Sequence, residues 1–299
     1  MKKHPIIFGL FLVFLLGAGL LIILRLMGAL MGNERSFPLT EKVGVVNVHG
    51  IISSSQEVVE QLEEFGKDEG IKALVIRVDS PGGGVAASQE IYGAIKRLKK
   101  NKKVVASLGS VAASGGYMIA CAADKIVANP GTLTGSISAI MHFANAEDLL
   151  KKIGLKSSVI KSGKYKDIGS PVREMTDEEK QLLQALVDDI YHQFVTVVAQ
   201  DRRIAPDKVS QLADGRVFSG NQAQALHLVD YLGDKTDAVR LAGRMAGIKG
   251  EPEAVYPKKK ELSFWELILP ASWASIVGNL KNEIHVLPPG VNLLYEYGA

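Results

Sequence analysis

A chain of 299 residues that is 47% hydrophobic can bury a substantial core, in one large or two small domains. Its 35 basic and 32 acidic residues leave a formal charge of +3. The lysine pairs are scattered without interleaved aromatics, so no nucleic-acid partner is expected. The single Cys121 excludes an intrachain disulfide and a cysteine-based zinc site, and reads as a small buried apolar residue.

The N-terminus comes first. Residues 1–5, with Lys2 and Lys3, precede an uncharged apolar run over residues 6–24. At ~1.5 Å per residue such a helix nearly matches the ~30 Å hydrocarbon layer. Gly17-Ala18-Gly19 mimics a signal-peptide cleavage site, but the apolar run continues through Leu24. The segment therefore reads as an uncleaved single-pass anchor. The two lysines place the N-terminus in the cytoplasm and the remaining chain outside it.

Residues 25–42 read as a linker and 43–256 as the main domain. "VGVVNVHGII" and "ALVIRVD" are rich in Val and Ile and predict buried strands. "VAASQEIYGAIKRLKK" has apolar residues at helical spacing and a basic C-terminal end that suits the helix dipole. "KVVASLG" and "KIVANP" predict further strands, with a small-residue helix, "SGGYMIACAAD", between them. Then come a helix in "AEDLLKKIG", a strand in "KSSVIKSG" and a long helix opened by the capping box Thr176-Asp177-Glu178-Glu179. The alternation implies an α/β fold with mostly parallel strands.

Residues 257–299 form an arm and tail. The apolar stretch "LSFWELILPASWASIVGNL", broken by Pro270, reads as a packing arm or oligomer contact. Its tryptophans also fit a membrane interface. The last stretch, "HVLPPGVNLLYEYGA", is expected to have little structure of its own but to be able to enter an active site as a peptide.

Two glycine-rich turns carry the chemistry. Asp79-Ser80-Pro81-Gly82-Gly83-Gly84 joins a strand to a helix and can expose N–H groups to an anion or an oxyanion. Ser-Pro-Gly-Gly is equally an ordinary tight turn, and without a following Lys-Ser/Thr it is not a phosphate-binding P-loop. In the second turn, "AASGGY", Ser114 stands at a strand-to-helix junction as either a helix cap or a nucleophile. A nucleophilic serine needs a base. By position that base is His142 or one of the lysines Lys161, Lys164 and Lys166. A lysine base must be neutral near pH 7 against an ordinary value of ~10.4, a cost of about 4 kcal/mol that burial among apolar groups can supply. Physical chemistry alone leaves histidine and lysine open.

"VDSPGGGVAASQEIY", "SVAASGGYMIACAADKIVANPGTLTGSIS" and "IKSGKYKDIGSPVREMTDEEK" closely resemble the signal peptide peptidase A family, membrane serine peptidases of bacteria. The likeness runs from about Val43 to Ala246 and carries one copy of each motif, as in the family's short form. It implies an α/β fold of the crotonase and Clp-protease type, a repeated ββα superhelix behind the membrane helix. It further implies Ser114 as nucleophile, Lys166 as general base and Ser136 as the group that orients the lysine amine. The N–H groups of Gly83 and Gly115 would form the oxyanion hole, with neither cofactor nor metal. The expected setting is the bacterial cytoplasmic membrane, with the catalytic domain on its extracytoplasmic side. The expected assembly is a homo-oligomer, such as an octamer, with each dyad complete in one subunit or shared across an interface. The expected substrates are remnant hydrophobic signal peptides. A crotonase-type acyl-CoA enzyme and an inert membrane scaffold are the alternatives, and a Ser114–His142 pair is the alternative dyad.

Overall fold

The computed structural model describes residues 14–20, 22–23, 41–257 and 293–296, the last as backbone. The chain divides into two compact units, residues 1–40 and 41–299. In the first, residues 14–20 and 22–23 are helical, and the rest of the expected anchor lies outside the described residues. No helix among the described residues is long and apolar enough to cross a membrane. The tryptophan-bearing stretch 262–280 also lies outside them.

The second unit is a mixed α/β fold. Its elements are β1 (Lys42–His49), α1 (Gln56–Lys67), β2 (Ile71–Ser80), β3 (Gly82–Gly84), α2 (Val85–Leu98), β4 (Lys103–Ala113), α3 (Gly115–Cys121) and β5 (Lys125–Ala128). They continue with β6 (Leu133–Gly135), β7 (Ile140–Met141), α4 (Glu147–Lys152), α5 (Asp177–Arg202), α6 (Pro206–Leu212), β8 (Val217–Ser219) and α7 (Gly220–Ala225). The last are β9 (Tyr231–Leu232), α8 (Lys235–Met245), β10 (Glu253–Val255) and β11 (Leu293–Glu296).

The main sheet runs β10-β1-β2-β4-β5-β9, all parallel, with β6 continuing beside the end of β4 and β8 antiparallel to β6. Its central strands are buried on both faces, which is why they read as continuous Val/Ile/Leu runs. Successive side chains alternate between two cores. Val46, Val48, Leu74, Ile76, Val104 and Ala106 pack on one face, against α1, α2, α3 and α5. Val43, Val45, Ala73, Val75 and Val105 pack on the other against Ala238, Val239 and Ala242 of α8. Each fully buried Val, Leu or Ile stabilises the fold by about 1.5–3 kcal/mol relative to exposure.

Two expectations change. "KSSVIKSG" forms no strand: residues 156–163 are irregular and exposed, with Val159 at 52% and Ile160 at 101% accessibility. β propensity cannot hold a segment that has no sheet edge to pair with. Conversely, the C-terminal tail contributes β11, the middle strand of a second sheet ordered β3-β11-β7. Its order comes from pairing with two distant strands, not from local preference.

Candidate active site

The end of β2 and the end of β4 lie side by side, with Ser80 in register with Ala112. The first glycine turn is built by Ser80. Its buried Oγ donates to Gly50 O at 2.5 Å and accepts from Gly82 N–H at 3.1 Å. Ile52 N–H then donates to Gly82 O, and Gly84 N–H to Ile52 O, each at 2.8 Å. Strand geometry turns the intervening Gly83 N–H and C=O toward the opposite edge, where β11 pairs with β3 and Tyr295 stands opposite Gly83. Gly83 has φ +151°, and a Cβ there would lie 2.5 Å from Ile52 O. Only glycine fits.

The second turn is strained. Ser114 follows β4 with φ 53° and ψ −121°, immediately before α3. Such a conformation costs of order 1–3 kcal/mol in a residue with a side chain and is typical of functional turns. Two backbone bonds hold it: Ser114 N–H donates to Gly135 O at 2.8 Å, and Met118 N–H donates to Ser114 O at 2.9 Å. The hydroxyl makes no cap bond to α3. Buried, it has no hydrogen-bond partner among the described residues. The helix-cap reading of Ser114 therefore has no bond to support it, and a buried unpaired hydroxyl needs another purpose.

Gly115 opens α3, so its N–H is one of the orphan donors of a helix start. A Cβ at the next position, Gly116, would come within 3.0 Å of Ser80 O. The two glycine turns thus converge, a relation that their order along the chain only suggested.

Ser136 follows Gly135 at the end of β6, beside Ser114, through the β4–β6 register Ala113 to Gly135. It too has positive φ, 50°, and is buried. Its neighbours' hydroxyls are already committed: Thr132 Oγ1 donates to Gly109 O and Thr134 Oγ1 to Ala112 O, both at 2.7 Å. Of the two serines left in "GTLTGSIS", Ser136 and Ser138, Ser136 is the one next to Gly135, whose carbonyl accepts from Ser114 N–H.

Among the described residues, neither candidate base is bonded to Ser114. Lys166 is exposed, in the irregular segment before α5, and among the described residues its ammonium has no hydrogen-bond or ion-pair partner. His142 is exposed just after β7 and is likewise not bonded to Ser114. Lys161 and Lys164 are occupied, with Asp167 and Glu178 respectively. Cys121 lies wholly inside α3, where burial pushes its thiol up to about 12 and removes it as a nucleophile.

Sequence reasoning found the capping box at Thr176 and Glu179, and both of its bonds are present. It missed Arg173, which stands six residues after Asp167 and six before Glu179 and binds both carboxylates. The equal acidic–basic–acidic spacing was the available signal.

Residues 96–249 match the family described as Peptidase family S49. A candidate protease of Synechocystis sp. is 47% identical over 216 residues, covering 72% of this chain and 77% of that protein. A candidate signal peptide peptidase SppA of Enterococcus faecium is 36% identical over 213 residues, covering 67% of this chain and 62% of its own length. Among solved structures, a point mutant of ClpP1 from Listeria monocytogenes superposes with a TM-score of 0.45 at 18% identity, covering 65% of this chain and 94% of that one. With its family region spanning both the Ser114 turn and the Lys166 segment, the chain belongs to peptidase family S49 and is a serine peptidase.

Proposed function

We propose that this serine peptidase is a membrane-anchored endopeptidase that degrades remnant signal peptides after their release, with Ser114 as nucleophile and Lys166 as general base. The observation that carries the reading is β11. An extended stretch of chain pairs antiparallel with Gly82–Gly84 on one side and with Ile140–Met141 on the other, and it packs against α3, which Ser114 immediately precedes. That is β-strand addition: the cleft takes a peptide backbone by its main-chain groups and is indifferent to most side chains. Such a cleft suits apolar, variable sequences such as signal peptides. The candidate SppA relative supports the same substrate class.

In the proposed reaction Ser114 Oγ attacks the scissile carbonyl while Lys166 takes its proton. Gly83 and Gly115 N–H groups hold the oxyanion. Ser136 orients the lysine amine. The protonated lysine then gives its proton to the leaving amine, and water completes hydrolysis of the acyl-enzyme. The apolar run 6–24 would tether the domain outside the cytoplasm. Among the described residues, Lys166 is exposed with no side-chain partner while Ser114 is buried and unpaired. This separation supports a homo-oligomer in which one copy's lysine completes its neighbour's site, and the resemblance makes that oligomer an octamer.

The test is hydrolysis of an apolar peptide ester. Lys166→Ala should lose at least about 1,000-fold in kcat/KM, whereas His142→Ala should remain within about threefold. Retained activity in Lys166→Ala, or its loss in His142→Ala, would defeat the lysine assignment. The family membership makes an acyl-CoA enzyme and an inert scaffold the weaker readings.

The tail itself is a proposed substrate. Mass spectrometry of purified active protein should find chains trimmed short of Ala299, and a Ser114→Ala control should stay intact. Full-length chains in both samples would remove this reading.

A further inference from the structure

We infer that Arg173 is a positioning residue for Lys166, holding the lysine-bearing segment to the first turn of α5 while leaving the Lys166 amine free. The inference rests on Lys166 being the general base, as proposed above.

The polar side chains flanking Lys166 are tied down. Lys164 and Tyr165 both bond Glu178 of α5. Asp167 is gripped by a guanidinium fork: Arg173 Nε donates to Oδ2 at 2.8 Å and Nη2 to Oδ1 at 3.0 Å. Arg173 Nη2 also reaches the Asp167 carbonyl at 3.2 Å, and Lys161 binds Asp167 Oδ1 as well. In the run from Lys164 to Asp167, Lys166 alone has a side chain with no such bond. The backbone is folded tightly through it, with Lys166 N–H donating to Gly163 O at 3.2 Å and Ile168 N–H to Tyr165 O at 3.1 Å.

The same guanidinium continues into α5. Arg173 Nη1 donates to Glu179 Oε2 at 2.8 Å, and Nη2 binds Glu179 Oε1. Glu179 is buried and closes the capping box, accepting from Thr176 N–H at 2.9 Å. Arg173 thus joins two carboxylates six residues away on either side, one beside the proposed base and one in the frame. Arg173 holds both carboxyls well below the usual range, Glu179 down to about 2, so the clamp is fully charged at any pH where the lysine could act. The frame is stiff: α5 is 26 residues long and buries Ile190, Phe194 and Val198. It packs against α3 of the same chain, so the clamp fixes the Lys166 segment to the body of the subunit that presents the lysine to its neighbour.

A surface ion pair is worth little. This one differs because the fork is bidentate and its second carboxylate is buried, which fixes geometry as well as charge. Fixing geometry matters here, since a misplacement of about 1 Å in a catalytic group can cost roughly 100-fold in rate.

Arg173→Lys keeps the charge and loses the fork. On the apolar peptide ester its kcat should fall about 10- to 100-fold with KM nearly unchanged. Asp167→Asn cuts the link from the other side while leaving the Arg173–Glu179 pair and helix cap in place, and it should give the same fall in kcat at a nearly unchanged KM. This second variant decides the matter should Arg173→Lys fail to fold by circular dichroism. A wild-type kcat, or a loss carried by KM rather than kcat, would overturn the positioning role. Lys166→Ala in the same assay separates the failures. If it stays active, the general-base reading falls; if it is dead while the folded clamp variants behave as wild type, only the clamp falls.

Discussion

Ser114→Ala should fold normally and lose at least about 10,000-fold in activity on an apolar peptide ester, the scale seen when an activated nucleophile is removed. Folding should be intact because the hydroxyl makes no bond that stabilises the chain: it is neither a cap nor part of a network. Alanine also lacks a buried polar atom, so a small gain in thermal stability is expected. The positive φ remains as unfavourable for alanine as for serine, so strain should not change.

Mixing makes the result sharper. Lys166→Ala should also be inactive, and on the shared-site proposal the two dead proteins should revive each other when co-expressed. Random assembly places an intact Ser114 opposite a neighbour's intact Lys166 in roughly a quarter of sites. Recovery of about that fraction supports a dyad built from two copies. A mixture that stays dead would confine each dyad to one chain. The measurement is kcat per site, with active-site titration by a serine-directed phosphonate.

Gly83→Ala is the second large effect. At φ +151° an alanine is strained, and its Cβ would press against the Ile52 carbonyl, 2.5 Å away. Relief requires the turn to shift, which moves the Gly83 N–H from the position where oxyanion charge would develop. Loss of one such donor costs about 100- to 1,000-fold in kcat. Gly84→Ala is the matched control. Its backbone has φ −56°, and its Cβ would meet Ile52 O at 3.3 Å, which a small adjustment relieves. Gly84→Ala should therefore retain at least ten times the kcat of Gly83→Ala, and the two midpoint temperatures should rank in the same order. Equal effects would remove the special role of Gly83.

The parallel sheet was legible because its strands are short Val/Ile runs bounded by Gly and Pro, and its helices carry apolar stripes at helical spacing. Ser114 and the Lys166 segment were legible as residue types in small-residue turns, joined by resemblance to a known family. Whether Ser114 caps α3 was not legible. That turned on ψ and on the bonds of a single hydroxyl, which neighbouring residues do not encode.

The strand expected in "KSSVIKSG" failed for a related reason. Val159 and Ile160 favour a strand, but a strand exists only where another edge accepts its hydrogen bonds. The tail shows the converse, because β11 is ordered by edges more than 150 residues away in sequence. By itself the sequence determined the local vocabulary of this protein: buried parallel strands, capped helices, two glycine turns and the small residues around Ser114. The tertiary structure decided which turns converge, which strand edges pair with the tail, and how Arg173 ties the Lys166 segment to α5. Those are relations between residues far apart in the chain, fixed by sheet register and packing, and no local periodicity records them.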